Sequence, residues 1–419
     1  MRPTRLFLAL AAMLLLLLRV PALVQPMGAD QGLYAYAGAR ILAGELPYRD
    51  AWDQKPPAIH YTYAAMRALW PGDGAVGAAD LLAAAAVAWL LYRLGTVTGS
   101  SAAGATSAVL FLLLANPSLT RLGGIRLRAQ CETFIAVLAA AGLLWLLDRA
   151  GGARRRHALI AGTLYGLTFL FKYNAGIYLV AGLIAAWLWR RLEWRDLPWI
   201  AGGFALPLAA ALAIFGAGGA LGDLYAATIT YNLRYSGETY AGPFAVGRYL
   251  LTFPIERARV DALWTVGGLG CLILIPLSFA RRERLVAPLW VAAACLSIAV
   301  NGSRGLPQYF VQANPALALA AGWGAIEAWA WITARSGQRA RLIGLAAAVV
   351  VAVGVWRVDQ FPKLFEQTRF DASYALGRID RTTYLSRYSD DRKFSALSSA
   401  VLAETIRART KPTDRVYVF

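Results

Sequence analysis

With 419 residues, 58% of them hydrophobic and only 16% charged, and a mean hydropathy of +0.49, the chain is too apolar for an ordinary soluble protein, where about a quarter of residues carry charge. Its 42 Lys and Arg against 24 Asp and Glu leave a net charge of +18, but the basic residues stand in short clusters between apolar runs. That pattern orients a membrane protein and excludes a nucleic-acid surface.

In chain order, Arg2 and Arg5 precede an apolar run from Leu6 to Val24. It is close to the ~20 residues that cross a bilayer, and no small-residue cleavage site follows it, so the reading is an uncleaved first span with its N-terminus in the cytoplasm. A polar interval, 25–74, comes next. Within it, Leu33, Ala37 and Ile41 recur at four-residue spacing, with Asp30 placed as an N-cap and Gly44 and Pro47 as stops. After a polar loop, Ile59, Tyr63, Met66 and Trp70 share one helical face. Helices over 30–43 and 57–70 are too short to span and are expected to lie in the outer interface.

Ten further apolar runs follow, at 75–94, 101–115, 131–147, 158–172, 175–189, 197–215, 260–279, 285–300, 308–331 and 341–356. With 57–70 interfacial, Arg93, Arg154 to Arg156, Arg190, Arg191, Arg195, Arg281, Arg282, Arg284, Arg335, Arg339 and Arg341 all fall on the cytoplasmic side. The expectation is an all-α polytopic membrane protein of about eleven spans, with the C-terminus outside. The polar stretch 358–419 reads as an external segment with a helix near 395–409 and an apolar strand-like run from Asp414 to Phe419, where an outer domain is expected to be cut short.

Cys131, Cys271 and Cys295 sit in apolar segments, and His60 and His157 are far apart. No metal cluster or disulfide framework follows. No phosphate-binding glycine loop is visible for a nucleotide sugar.

The segment from Asp30 through Tyr48-Arg-Asp50 to Trp52-Asp-Gln-Lys-Pro-Pro57 resembles the first external loop of the GT-C glycosyltransferases. The likeness is to the protein O-mannosyltransferase and aminoarabinose-transferase type, especially the bacterial RgtA/B/C/D-like branch. Gly162 to Lys172 resembles that group's glycine-containing span ending in Lys, Tyr231-Asn232 with Tyr235 its outer-loop tyrosines, and Gln308-Tyr-Phe its late span. The resemblance implies a GT-C fold, a membrane catalytic domain over 1–357, a bacterial inner-membrane location and a polyprenyl-phosphate sugar as donor. It further implies transfer to a hydroxyl of a glycan, lipid or protein on the non-cytoplasmic face. The group's opening motif usually reads Asp-Glu; here Gln31 stands second.

The residue chemistry agrees. A carboxylate takes the acceptor proton and a cation neutralises the departing phosphate. Asp30 is the candidate base, although an N-cap role accounts for it too. Lys55 is a compact charge for phosphate or an interface lysine beside Trp52. Arg126, Arg128 and Lys172 are further candidates for the donor phosphate, with snorkelling an equal reading of Lys172. Glu132 is either a second acidic site residue or the ion-pair partner of Arg126 or Arg128. Tyr34, Asp53, His60, Tyr231, Arg304, Gln308 and Tyr309 are the expected lining of one cavity, with Asp50 and Asp53 suited to structuring the loop. No cofactor is assigned, and an Asp-bound divalent ion has no supporting ligand set. A transporter or flippase for a lipid-linked glycan is the alternative, but it would place charges at mid-span, and here they gather at outer span ends.

Overall fold

The computed structural model describes residues 3–120, 122–148, 154–237, 240, 242, 244–335, 338–358, 361–389, 394–411 and 414; among them every regular element is a helix. α1 (Pro3–Leu18) runs into a 3-10 turn, Val20–Val24, and is followed by α2 (Ala29–Leu42) and α3 (Ala58–Leu69). The bundle proper begins with α4 (Gly74–Thr98) and α5 (Ser101–Leu114). After the short α6 (Gly123–Leu127) come α7 (Cys131–Leu147), α8 (Arg154–Phe171), α9 (Ile177–Leu188) and α10 (Leu197–Ala217). The tyrosine-rich interval that follows carries α11 (Leu221–Tyr225), a π turn, Ala226–Thr230, then α12 (Tyr231–Gly237) and α13 (Ala245–Ala258). α14 (Ala262–Leu277), α15 (Val286–Val300), a 3-10 segment Pro307–Ala313, α16 (Asn314–Arg335) and α17 (Gln338–Val358) complete the bundle. α18 (Phe361–Ala375), α19 (Arg381–Ser386) and α20 (Ala396–Arg409) form the C-terminal segment.

Among the described residues four helices are long and apolar enough to cross a bilayer, rising to six if two bent pairs each count as one span. Three further apolar helices among those residues, Ser101–Leu114, Cys131–Leu147 and Tyr173–Leu188, are shorter than a span. Length and composition alone therefore support a multi-pass protein without reaching the expected count of eleven.

Within a lipid-embedded bundle hydrophobic burial drives helix association weakly, and close backbone contact through small residues takes over. α8 and α10 show it: a Cβ on Gly162 would stand 2.1 Å from the Ile200 carbonyl oxygen, and one on Gly203 2.2 Å from that of Leu159. The same crossing logic joins α14 to α16, where a Cβ on Gly270 would lie 2.1 Å from the Ala320 oxygen. At one end of the bundle the basic clusters find acidic partners, Arg93 with Asp148 at 3.0 Å and Arg284 with Glu327 at 2.9 Å.

The C-terminal segment is fastened to the opposite end. Tyr384, Leu385, Tyr388 and Ala396 bury themselves with Ile125 of α6. The Asp371 carboxylate accepts from the Tyr384 and Tyr388 hydroxyls, both at 2.8 Å, and from the Gln25 amide at 2.6 Å. Ser395 caps α20 by accepting from the Ser398 N–H. The strand-like run expected at 414–419 lies outside the described residues except for Asp414.

Candidate active site

α2 and α3 pack against each other, and the loop between them carries Lys55. That loop is locked from several directions. Tyr48 holds a left-handed backbone, φ 73°, uncommon for a residue with a side chain. Its N–H donates to the Ala51 carbonyl at 2.8 Å and its hydroxyl to that of Lys55 at 2.8 Å. Asp53 is 4% exposed, accepts from the Gln54 N–H and stands 3.0 Å from His60 Nε2. Burial pushes the Asp53 carboxyl up, but the hydrogen bond to His60 and the Lys55 charge outweigh it and hold its pKa below the ordinary carboxylate range. From α12, Asn232 donates to the Gln54 carbonyl at 2.7 Å.

Asp30 is the second residue of α2 and not its N-cap. The cap is Gly28, because the chain passes so close to α6 that a Cβ there would sit 1.9 Å from the Ile125 oxygen. The capping alternative for Asp30 is thereby removed. Its side chain is exposed and stands 3.5 Å from Gln308 Nε2. Loss of bulk water raises its pKa; Lys55 and Lys172 oppose that shift, whereas Glu132 and Asp53 add to it. Asp30, Lys55, Glu132 and Lys172 thus share one electrostatic neighbourhood.

Gln31, the departure from the Asp-Glu pattern, is fully buried. Its Oε1 accepts from the Gly28 N–H at 2.7 Å, while its Nε2 donates to the carbonyls of Arg128 at 2.7 Å and Gly124 at 3.2 Å. Two acceptors demand an amide, and a carboxylate would face both carbonyls without a proton to offer. Gln31→Glu is expected to lower stability by about 1–3 kcal/mol, read as a fall in the unfolding midpoint in detergent.

A cavity of about 270 Å³ opens beside this cluster, lined by Lys55, Lys172, Tyr173, Asn174, Asn232, Tyr235, Asn301 and Tyr309 among others. Lys172 Nζ is 2.5 Å from Glu132 Oε1 and 4.5 Å from the centre of the Tyr309 ring. Glu132 therefore pairs with Lys172, not with Arg126 or Arg128, because both reach inward from the ends of adjacent helices. At the rim the Arg304 guanidinium lies 3.7 Å above the Tyr235 ring, and Tyr231 packs 5.0 Å from the half-exposed Trp52.

Other expected site residues stand elsewhere. Arg128 is 1% exposed; it bridges Asp80 at 2.7 Å, Ser118 at 2.9 Å and Gln25 at 3.2 Å. A donor phosphate would have to displace Asp80 to reach it. Arg126 is exposed on α6 and forms no part of the cavity wall. Tyr34, Asp53 and His60 stack behind the wall, with Tyr34 5.4 Å from Tyr63 and 6.3 Å from His60. They support the loop rather than face the cavity. Sequence reasoning overlooked Arg19 and Asp80, which pair at 2.6 Å, although each is a lone charge in an apolar run, where charges need partners. Among the described residues no group of three or more His, Cys, Asp or Glu side chains converges on a point that would hold a metal ion.

No protein-family model matches this chain, and no curated protein matches its sequence. Solved structures do match in fold. ArnT from Cupriavidus metallidurans bound to undecaprenyl phosphate superposes with a TM-score of 0.56 at 16% identity, over 97% of this chain and 72% of that one. The Archaeoglobus fulgidus oligosaccharyltransferase tethered to an acceptor peptide gives 0.57 at 13% identity, over 86% and 55%. The archaeal oligosaccharyltransferase AglB from the same organism, in complex with an inhibitory peptide and a dolichol-phosphate, gives 0.51 at 13% identity, over 93% and 61%. This chain spans less than two thirds of the archaeal proteins and about seven tenths of ArnT. The shared architecture is the GT-C fold.

Proposed function

We propose that this GT-C protein is an integral membrane glycosyltransferase, which takes a sugar from a polyprenyl-phosphate donor and passes it to an acceptor hydroxyl on the non-cytoplasmic face. The observation that carries this reading is that the carboxylate of Asp30 feels the charge of Lys55, a residue on the wall of a cavity. The solved structures of like fold include proteins bound to undecaprenyl phosphate and dolichol-phosphate, which supports a lipid phosphate as the donor group.

In this mechanism the acceptor oxygen attacks the anomeric carbon and the bond from that carbon to the phosphate oxygen breaks. The hydroxyl proton passes to Asp30, and polyprenyl phosphate leaves. Lys55, held by the Tyr48 and Asn232 hydrogen bonds to its loop, neutralises charge growing on the leaving oxygen. The Glu132–Lys172 pair keeps a second cation at the cavity wall, with the carboxylate preventing an uncompensated buried charge. Tyr231, Arg304, Gln308 and Tyr309 are assigned to substrate positioning. The membrane unit 1–357 would carry this chemistry and 358–419 would cover it, with the N-terminus cytoplasmic.

Lys55→Met is expected to weaken binding of polyprenyl phosphate about tenfold or more, the value of one charge-assisted hydrogen bond, and to leave the unfolding midpoint near that of the parent. Equilibrium binding in detergent checks it; unchanged affinity would remove Lys55 from the phosphate site.

A further inference from the structure

The first turn of α2, which carries Asp30, is held indirectly by the C-terminal segment. Between the two lies α6 with its flanks, bounded by two left-handed residues, Leu122 at φ 59° and Ala129 at φ 49°. Such backbone is uncommon for residues with side chains and persists where the surroundings fix it. Toward α2, the Gly124 and Arg128 carbonyls hold the Gln31 amide at 3.2 and 2.7 Å, and Gly28 sits too close to Ile125 for any side chain. Toward the C-terminal segment, Leu122 and Ile125 pack with Tyr384, Leu385 and Tyr388.

A polar path accompanies this packing. Gln25, three residues before the Gly28 cap, donates to the Asp371 carboxylate of α18 at 2.6 Å and accepts from Arg128 Nε at 3.2 Å. It crosses α6 so closely that a Cβ on Gly124 would stand 1.6 Å from its Oε1. A guanidinium can only donate, so the Gln25 amide has one workable orientation and residue 371 must accept. The same carboxylate takes the Tyr384 and Tyr388 hydroxyls and the Gln367 amide, each at 2.8 Å. α18 also packs on the turns Val20–Val24 and Pro117–Leu119, which lead into Gln25 and toward α6. Buried polar groups that are all satisfied rigidify the elements they join. From Asp371 to the side chain next to Asp30, the path is therefore Gln25, Arg128 and Gln31.

We infer that Asp371 is a positioning residue for Asp30, and that the C-terminal segment sets where this carboxylate stands by clamping α6 against the first turn of α2. The inference rests on the glycosyltransferase reading for its effect on turnover, but the mechanical link can be measured without it.

The test is Asp371→Asn in the full chain in detergent. The change keeps the volume and the oxygen facing the two tyrosines but turns an N–H toward the Gln25 N–H. Release of sugar from a polyprenyl-phosphate donor is expected to fall about 10- to 100-fold, the cost of a misplaced reacting group. Equilibrium binding of polyprenyl phosphate should stay at the parent's value, because the loop that carries Lys55 is untouched. Hydrogen exchange in the peptide 25–33 should quicken about tenfold, the value of one lost hydrogen bond. Adding Gln25→Glu to the same chain should restore turnover and exchange, since the introduced carboxylate accepts from the introduced amide and from Arg128, and the buried charge is unchanged. Full turnover in Asp371→Asn, loss of binding in step with turnover, exchange at the parent's rate, or failure of the paired change to restore the parent's behaviour would overturn the inference. Were the parent to release no sugar while exchange rose in the single variant and returned in the double, the transferase reading would fail and the clamp would stand.

Discussion

Asp30→Asn is expected to lower turnover about 10²–10⁴-fold, the contribution of a positioned general base, while binding of polyprenyl phosphate changes little. The asparagine preserves volume and the hydrogen bond offered by Gln308 but cannot take a proton. The parent enzyme should also carry the signature of the base in its pH profile. Withdrawal from bulk water raises the Asp30 pKa, with Lys55 the strongest opposing charge. Activity requires the ionised form, so it is full above that pKa and falls as pH drops through it, along an acid limb placed above the ordinary carboxylate range. Release of sugar from a radiolabelled polyprenyl-phosphate donor, followed across pH in both proteins, tests both statements. An Asn variant that retained turnover, or kept the acid limb, would remove Asp30 from the chemistry.

The second large effect concerns folding. Asp80→Ala should destabilise the protein by about 3–5 kcal/mol, because it leaves the buried Arg19 and Arg128 guanidiniums facing each other without their shared carboxylate. Replacing Arg19 and Arg128 by Met in the same chain should recover a large part of that loss, since an apolar set removes the uncompensated charge. Thermal unfolding in detergent measures it. A different result has a clear meaning: an Asp80→Ala protein of unchanged stability that bound lipid phosphate more tightly would return Arg128 to the ligand role its sequence position suggested.

Much of the helical framework was legible from the sequence. The run expected at 131–147 is α7, and those at 101–115 and 197–215 differ from α5 and α10 by one or two residues. Apolar content and Pro and Gly stops are local signals, and helix formation reads them locally. The interval 216–259 was different. α13 contains Pro254 and mixes Arg248 and Glu256 with apolar residues, so no clean periodicity announces it; packing against α14 and α15 is what makes it a helix.

For the site, the sequence by itself determined that a carboxylate, Asp30, and an ammonium, Lys55, belong to one polar interval of 26 residues after the first apolar run. Which charges remain available to a substrate was decided only by the tertiary structure. Arg128 and Lys172 look alike in sequence, each a cation at a span end, yet Arg128 is taken up by Asp80 from 48 residues away, while Lys172 keeps a place on the cavity wall despite its bond to Glu132. Pairing between distant charges depends on which helices are neighbours and at what depth, and a desolvated charge takes whatever partner that geometry supplies.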